Sequence, residues 1–358
     1  MCRAFGAPLE IEELRLAPPE TGEVRVRVAA CAICHSDVHF TEGAWGGELP
    51  AVAGHEAAGV VEDLGPGVTG VRPGDRVVVS LLRSCGRCFF CTRGESHLCE
   101  AVLPIDSEVR LRTSDGEPVH QAMRTAAFAE EVVVHESQLA VIPSSLGFDV
   151  ASLIGCGVLT GLGAVTERAG VKEGASVVVV GTGGVGLNAV QGAVIAGARE
   201  IVAIDVSPGK REAALRFGAT HAMDPRAGDP REELRALTGG RGADYVLVTV
   251  GSTDAIEQGL SWLRRGGTLV VVGMPRAGEK IGVVAVDLAH DDLRLLGSKM
   301  GSARLAEAVP RIVDLYEQGR LRLDELISGR YPLERINEAM ADAGDGSALR
   351  NVIVFDAA

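Results

Sequence analysis

Residues 176–186 read SVVVVGTGGVG. Four valines in a row run straight into a turn whose glycines, Gly181, Gly183 and Gly186, have the spacing G-x-G-x-x-G. A short, uncharged, β-branched run bounded by glycine reads as a strand buried on both faces. The apolar stretch after it, "GLNAVQGAVIAGA", reads as a buried helix. The glycines permit a tight turn and let a pyrophosphate approach the helix N-terminus. Asp205 ends the next strand about twenty residues on, where a dinucleotide-binding unit carries an acid for the adenosine ribose hydroxyls. That acid repels a 2′-phosphate, which favours NAD over NADP. The plainer alternative is a packing turn in a buried strand–helix unit.

Working outward, apolar strands continue to alternate with helical stretches. The expected strands are Val177 to Val180, Ile201 to Ile204, Tyr245 to Val250, Thr268 to Val272 and a region near Leu293 to Leu296. Between them lie segments such as "KREAALRFG", with Gly218 as a C-terminal stop. Such alternation implies a parallel sheet covered on both faces. The first 150 residues differ. "GEVRVRVAA" alternates around Val24, Val26 and Val28, and "AGVVEDLGPGVTGVRPGDRVVV" reads as strand, turns and strand. This is β-rich, barrel-like material. Near the C-terminus "LAEAVPRIVDLYEQG" reads as a helix in which Pro310 marks a kink or a break, and "NVIVF" as a final strand.

A chain of 358 residues exceeds one ordinary core, so two domains are expected. The formal net charge of −13, with positive charge carried mostly by scattered arginines, argues against a nucleic-acid partner. The start, "MCRAFGAPLEIEEL", lacks a basic region followed by an apolar run. Residues 175–198 carry no charge and are long enough to span a bilayer. The glycine turn breaks them after four valines, and Asn188 and Gln191 follow, so strand, turn and helix fit better than a membrane span. A cytoplasmic location is the expectation.

Six of the eight cysteines fall in two short clusters. In "CGRCFFCTRGESHLC", Cys85, Cys88, Cys91 and Cys99 have the spacing C-x2-C-x2-C-x7-C. Four thiolates on one loop complete a tetrahedral zinc shell and leave no open position, as in a structural site. Iron–sulfur proteins also begin C-x2-C-x2-C, but here the last gap is longer and no proline follows. The other cluster, "CAICHSDVH" at residues 31–39, holds two cysteines, two histidines, a serine and an aspartate. "AGHEAAG" adds His55 and Glu56, and "GCGVLTG" adds Cys156. One histidine and two cysteines form the ligand set of a catalytic zinc with an open position. Spacing alone does not bring Cys34, His55 and Cys156 together. Taken singly, Ser36 and Asp37 read as ordinary helix N-terminal residues and His39 as a surface histidine.

In combination and order, these motifs resemble the zinc-containing medium-chain alcohol dehydrogenases, from "GEVRVRVAACAICHSD" to "ALRNVIVF". The resemblance implies a GroES-like β-rich catalytic domain over residues 1–157 and 300–358, with a Rossmann doubly wound parallel-sheet domain over 158–299. It implies that Cys34, His55 and Cys156 bind the catalytic zinc and that the four clustered cysteines bind a structural one, giving two zinc ions per chain. Glu56 matches a carboxylate able to approach the metal, and Asp37 the carboxylate that orients the ligand histidine. Ser36 matches the hydroxyl on the substrate oxygen, and His39 the solvent end of the proton relay. Cys31 matches no ligand and reads as packing.

For the cofactor NAD, the resemblance implies contacts from Thr160, Gly181, Gly183, Gly184, Val185 and Gly186, with Val185 against the nicotinamide. Asp205 and Lys210 match the adenosine-ribose contacts, and Arg350 a pyrophosphate contact. His35 stands where many relatives carry an arginine, and is a weaker phosphate partner at neutral pH. The segment "RLRTSDGEPVHQAM" resembles the long loop of class I and class III alcohol dehydrogenases and related bacterial enzymes. This points to a primary alcohol and its aldehyde as the small-molecule substrate and leans towards a homodimer, with a homotetramer as the alternative; the acidic charge and the broken apolar segment argue for no nucleic-acid or membrane partner. Trp45 and Leu81 would line an apolar pocket. Trp45 and Leu103 replace an acid and an arginine of the glutathione-dependent formaldehyde dehydrogenases, which speaks against S-(hydroxymethyl)glutathione. A secondary-alcohol or polyol enzyme and a catalytically silent nucleotide-binding member are the alternatives. The long loop and the cysteine third ligand oppose the first, and the full set of ligands and relay groups opposes the second.

Overall fold

The computed structural model describes residues 1–355 except 345 and 347. The strands are numbered in chain order. The first nine are β1 (Leu14–Leu16), β2 (Glu23–Ala32), β3 (Ala51–Val52), β4 (Glu56–Leu64), β5 (Arg76–Ser80), β6 (Leu111–Thr113), β7 (Pro118–Gln121), β8 (Glu131–His135) and β9 (Leu139–Val141). Six more form a middle block: β10 (Ser176–Val180), β11 (Glu200–Ile204), β12 (His221–Met223), β13 (Ala243–Val248), β14 (Leu263–Val271) and β15 (Arg294–Gly297). The chain closes with β16 (Ile327–Tyr331) and β17 (Arg350–Val354).

Two compact units result, one of Met1–Gly157 with Arg304–Ala358 and one of Val158–Ala303. In the first, a sheet runs β16-β17-β2-β4-β5-β9 with β8 also on β2, and a smaller sheet runs β1-β6-β7-β3. The alternation of β2 is real: Val24, Val26 and Val28 are buried, while Arg25 and Arg27 are partly exposed. One line of register aligns three strands at a single level of this sheet. Ala32 of β2 pairs with Glu56 of β4, which in turn pairs with Ser80 of β5.

The second unit is a six-stranded parallel sheet in the order β12-β11-β10-β13-β14-β15. All of β10 is buried, as a central strand covered on both faces must be. Residues 175–198 divide into β10, the glycine turn and the helix Gly184–Ile195. A different run, Phe148–Ala169, is long and apolar enough to cross a membrane, but 89% of its most apolar window is buried in the structure.

Two sequence expectations are corrected, and one strand goes unread. The strand expected to reach Val250 stops at Val248, because Thr249 turns its hydroxyl back onto the carbonyls of Val180 and Gly181. The edge strand β12 has no counterpart in the sequence reading; "HAM" is too short and too weakly apolar to show a period. Pro310 breaks nothing: the helix Leu305–Glu317 runs through it, held by the buried face of Leu305, Val309, Ile312, Val313 and Leu315. Gly218, expected as a helix stop, has φ of +109° just past the helix Pro208–Arg216.

A candidate metal-dependent active site

In the first unit, Cys34, His55, Glu56 and Cys156 are all buried, and their potential ligand atoms lie within 4.8 Å of one another. Local structure explains each placement. Cys34 is the N-cap of the short helix His35–Thr41, just beyond the end of β2. His55 precedes β4, so the Ala32–Glu56 register sets the two side by side. Gly54 has φ of +91°, and a Cβ there would lie 2.5 Å from the Phe128 nitrogen, so the turn into His55 admits only glycine. Cys156 sits in a π-helical turn, Ile154–Val158, a local widening that often marks functional positions.

Asp37 organises the group. Its fully buried carboxylate accepts the Cys34 N–H at 3.0 Å and the Gly54 N–H at 2.9 Å, and lies 3.1 Å from His55 Nδ1. A carboxylate only accepts, so Nδ1 keeps its proton, and Nε2 is the nitrogen that offers a lone pair once the ring is neutral, as it must be to bind a metal. Among the described residues that Nε2 has no hydrogen-bond partner and neither has Glu56 Oε1, which lies 3.9 Å from it, beyond hydrogen-bond reach. Buried polar atoms are rarely left so. Burial pulls the His55 pKa down, but Asp37 and the Cys34 thiolate more than offset it and hold it well above the ordinary value. The hydrogen bond between the two sulfurs pulls the Cys34 thiol well below its usual range and pushes Cys156 up. Two sulfurs, an imidazole nitrogen and a nearby carboxylate suit zinc. Burial pushes Glu56 up to about 7 despite its ion pair with Arg350. Arg350, expected on a pyrophosphate, is buried and pairs with Glu56 through one guanidinium nitrogen, while its Nε has no hydrogen-bond partner among the described residues.

Of the other residues in this unit expected at the site, Ser36 and His39 lie on the helix His35–Thr41, with Ser36 partly buried. The His39 ring packs edge-on between His35 at 4.7 Å and Trp45 at 5.3 Å. His35 is exposed, and Trp45 and Leu81 are half-buried.

The sulfurs of Cys85, Cys88, Cys91 and Cys99 form the other cluster within 4.8 Å. The N–H groups of Cys85 and Cys88 each point at a cluster sulfur at 3.3 Å, those of Cys99 and Cys85 respectively. Backbone N–H groups of Cys91 and Glu100 push Cys88 down to about 6, while burial pushes Cys91 up to about 12. The donor set is all sulfur and fits a closed tetrahedral shell.

In the second unit the three glycines behave differently. A Cβ at Gly181 would lie 2.3 Å from Val250 Cγ1, and one at Gly186 would lie 1.9 Å from the Gly181 carbonyl. At Gly183 it would meet nothing within 4 Å. The outer two permit the tight turn and the helix packing, and the middle one faces open space at a helix N-terminus, the cradle a pyrophosphate needs. Gly184 and Val185 begin the helix. The Asp205 carboxylate accepts the Thr182 N–H at 2.7 Å and the Ser207 N–H at 2.8 Å, which fixes it beside the turn. Lys210 lies on the following helix, partly buried. Thr160 is buried with its hydroxyl 3.7 Å from Met300 Sδ. A Cβ at Gly161 would lie 2.2 Å from the Val185 carbonyl, so Thr160's helix packs on the turn carrying Val185. Sequence reading missed Arg211, which reaches the Asp205 carbonyl at 2.7 Å and is paired with Asp224 at 3.1 Å. An arginine so paired is not a free receptor for a 2′-phosphate.

An open glycine turn on a parallel sheet and a buried thiolate–imidazole cluster in a β-rich unit define a metal-dependent dehydrogenase. Known proteins agree. The "Alcohol dehydrogenase GroES-like domain" family matches residues 20–144 and the "Zinc-binding dehydrogenase" family residues 184–317. The chain is 38% identical to the NDMA-dependent alcohol dehydrogenase of Amycolatopsis methanolica, over 98% of this chain and 97% of that one. It is 38% identical to the alcohol dehydrogenase class-3 of Cereibacter sphaeroides, with the same coverage. The crystal structure of benzyl alcohol dehydrogenase from Acinetobacter calcoaceticus superimposes with a TM-score of 0.92 at 30% identity, covering 99% of this chain and 98% of that one. The chain belongs to the zinc-dependent medium-chain alcohol dehydrogenase family, with a GroES-like and a Rossmann-like domain, and it is a zinc alcohol dehydrogenase.

Proposed function

We propose that the enzyme interconverts an apolar primary alcohol and its aldehyde with NAD as the hydride carrier, using a catalytic zinc on Cys34, His55 and Cys156 and a structural zinc on Cys85, Cys88, Cys91 and Cys99. The observation that carries this reading is the unpartnered His55 Nε2, aimed into two buried sulfurs and held there by Asp37. Zinc there supplies the Lewis acidity that lowers the pKa of an alcohol oxygen. The chain's own residues do the rest. Asp37 fixes the tautomer and orientation of His55. Ser36 takes the alcohol proton as it passes its own on along a relay that ends at His39, which releases a proton to solvent. Gly183 leaves room for the pyrophosphate, and Asp205, already held by two backbone N–H groups, takes the adenosine ribose. Trp45 and Leu81 favour an apolar substrate of moderate size.

A homodimer is part of the proposal. Among the described residues strand β15 is hydrogen-bonded only to β14 and leaves an open edge, and Val284 and Val286, on the segment that leads into it, are 61% and 67% exposed. An open edge of this kind is normally covered. Thiolate-dependent metal sites with no disulfide suit the reducing cytoplasm.

The test is NADH oxidation followed at 340 nm with straight-chain, branched and aromatic aldehydes, a ketone and S-(hydroxymethyl)glutathione's reverse reaction as controls. It is repeated in the oxidative direction, with the corresponding alcohols as donors and NDMA as acceptor, since one relative is named for that dependence. Turnover of aldehydes and not ketones supports the reading. Turnover of ketones alone overturns the primary-alcohol assignment.

A further inference from the structure

The π turn that carries Cys156 is tied to the sheet by a side chain the reaction itself does not use. Ser80, the last residue of β5, is fully buried, and its hydroxyl donates to the Gly155 carbonyl at 2.7 Å. Gly155 lies flat on the sheet: a Cβ there would be 2.6 Å from the Val79 carbonyl and 3.1 Å from Glu56 Cα. Ser80 is also the register partner of Glu56, the residue after His55. One hydroxyl therefore stands between the strand that sets His55 and the turn that sets Cys156.

Ser80 is itself held. Its carbonyl accepts from Gln138 Nε2 at 2.9 Å. The Gln138 amide has one orientation, because its Oε1 accepts from Arg83 Nε at 2.8 Å and a guanidinium only donates. Buried Arg83 also binds Asp106 at 2.6 Å and the Arg124 carbonyl at 2.9 Å, and Gln138 reaches that carbonyl at 3.0 Å. Arg124 belongs to a loop in which Met123, Arg124 and Ala126 have φ of 50°, 62° and 65°, conformations that persist only where the surroundings enforce them. Arg83 lies two residues before Cys85, and Ser84 N–H donates to Ser137 Oγ at 2.9 Å. The chain of bonds thus runs from the foot of the four-cysteine lobe to the turn of Cys156.

We infer that Ser80, braced by Gln138 and Arg83, is a positioning residue for the catalytic metal: it fixes the Cys156 turn against the strand of His55 and so sets how tightly the metal is held. A packing role would need only volume at this position. The hydroxyl is buried and its bond ends on the peptide carbonyl next to a ligand, so its loss frees that turn to relax while leaving the cysteine lobe intact. The inference rests on the proposed assignment of Cys34, His55 and Cys156 as zinc ligands.

The experiment compares the full-length wild type with Ser80→Ala, Ser80→Thr and Gln138→Leu. Zinc retained per chain is measured by mass spectrometry across a series of buffered free-zinc concentrations, alongside the cobalt–thiolate absorption of cobalt-exchanged protein. In S80A the zinc ion that Cys156→Ser, measured alongside, also loses should be lost at a free-zinc level about tenfold or more higher than in wild type, in the range seen when groups supporting metal ligands are removed. The other ion should be unaffected, the cobalt band should shift, and S80T should restore both. Q138L should move the same ion in the same direction by less, and carries the test if S80A does not fold. Unchanged affinity and spectrum in S80A, or equal weakening of both ions, overturns the inference. A wild type that binds a single zinc overturns the ligand assignment first, and this inference with it.

Discussion

Asp37 Oδ1 lies 3.1 Å from His55 Nδ1, both side chains fully buried, and the same carboxylate caps the N–H groups of Cys34 and Gly54. One acidic group therefore sets the tautomer of a proposed ligand and the backbone of two neighbouring segments at once.

Replacing that group should be felt at the metal before it is felt in the fold. Asp37→Asn keeps the shape but can present an N–H toward Nδ1. The expected result is a fall in catalytic zinc affinity of about 10- to 100-fold with a matching loss of turnover. Zinc content per chain and kcat, measured on the same preparation, check it. Full zinc retention with normal kcat would refute the assigned role.

Cys156→Ser removes a proposed ligand without touching the nucleotide unit. Turnover should vanish while NADH binding, followed by fluorescence, stays within about twofold of wild type. Retained activity would sink the catalytic-zinc assignment.

Glu56 and Arg350 form a buried ion pair. Glu56→Ala leaves the guanidinium uncompensated among protein atoms, and the expected cost is about 3–5 kcal/mol of stability. Urea unfolding of the metal-loaded protein measures it. Replacing both residues, as in Glu56→Leu with Arg350→Met, should cost less than the single change.

The four-cysteine lobe should lose metal in acid. Cys88 is pushed from the ordinary thiol value of 9.0 down to about 6 by backbone N–H groups. A depressed acid contributes fully above its ordinary value and loses that contribution as the pH falls through the depressed one. Metal binding to thiolates has the same sign. Zinc release, read with a chromogenic chelator, should therefore rise as the pH drops below about 6. Release that is flat between pH 8 and pH 5 would contradict the thiolate picture.

Asp205→Ser should weaken NAD by about 10- to 100-fold, since a charged acceptor for the ribose hydroxyls is worth roughly 1.5–3 kcal/mol. It should gain little NADP affinity, because Arg211 stays paired with Asp224. Titration calorimetry with both coenzymes decides it.

The elements read correctly from sequence share a short range. SVVVVGTGGVG declares its strand, turn and helix because its valines, glycines and the turn they make are within one another's reach. The C-x2-C-x2-C-x7-C spacing likewise predicts its own cluster, and the structure brings all four sulfurs together. What went unread had no local signal. Strand β12 is three residues long and exists because β11 offers it an edge. The helix through Pro310 holds because its buried face is packed, which no propensity scale records. Ser80 reads as the polar end of a valine run, and nothing near it in sequence names Gly155, seventy-five residues away.

By itself, the sequence determined a β-rich portion, a parallel nucleotide-binding sheet and a four-sulfur lobe, because periodicity, glycine spacing and cysteine spacing are properties of contiguous chain. Only the tertiary structure decided that Cys34, His55 and Cys156 meet. They are brought together by the β2–β4 register, by a glycine turn that no side chain could enter, and by a π turn hydrogen-bonded to β5. It also decided that Arg350 sits on Glu56 and that Arg211 is paired with Asp224. The physical reason is the same in each case: a buried charge or lone pair must find its partner in space, and the partner's place along the chain has no bearing on the energy.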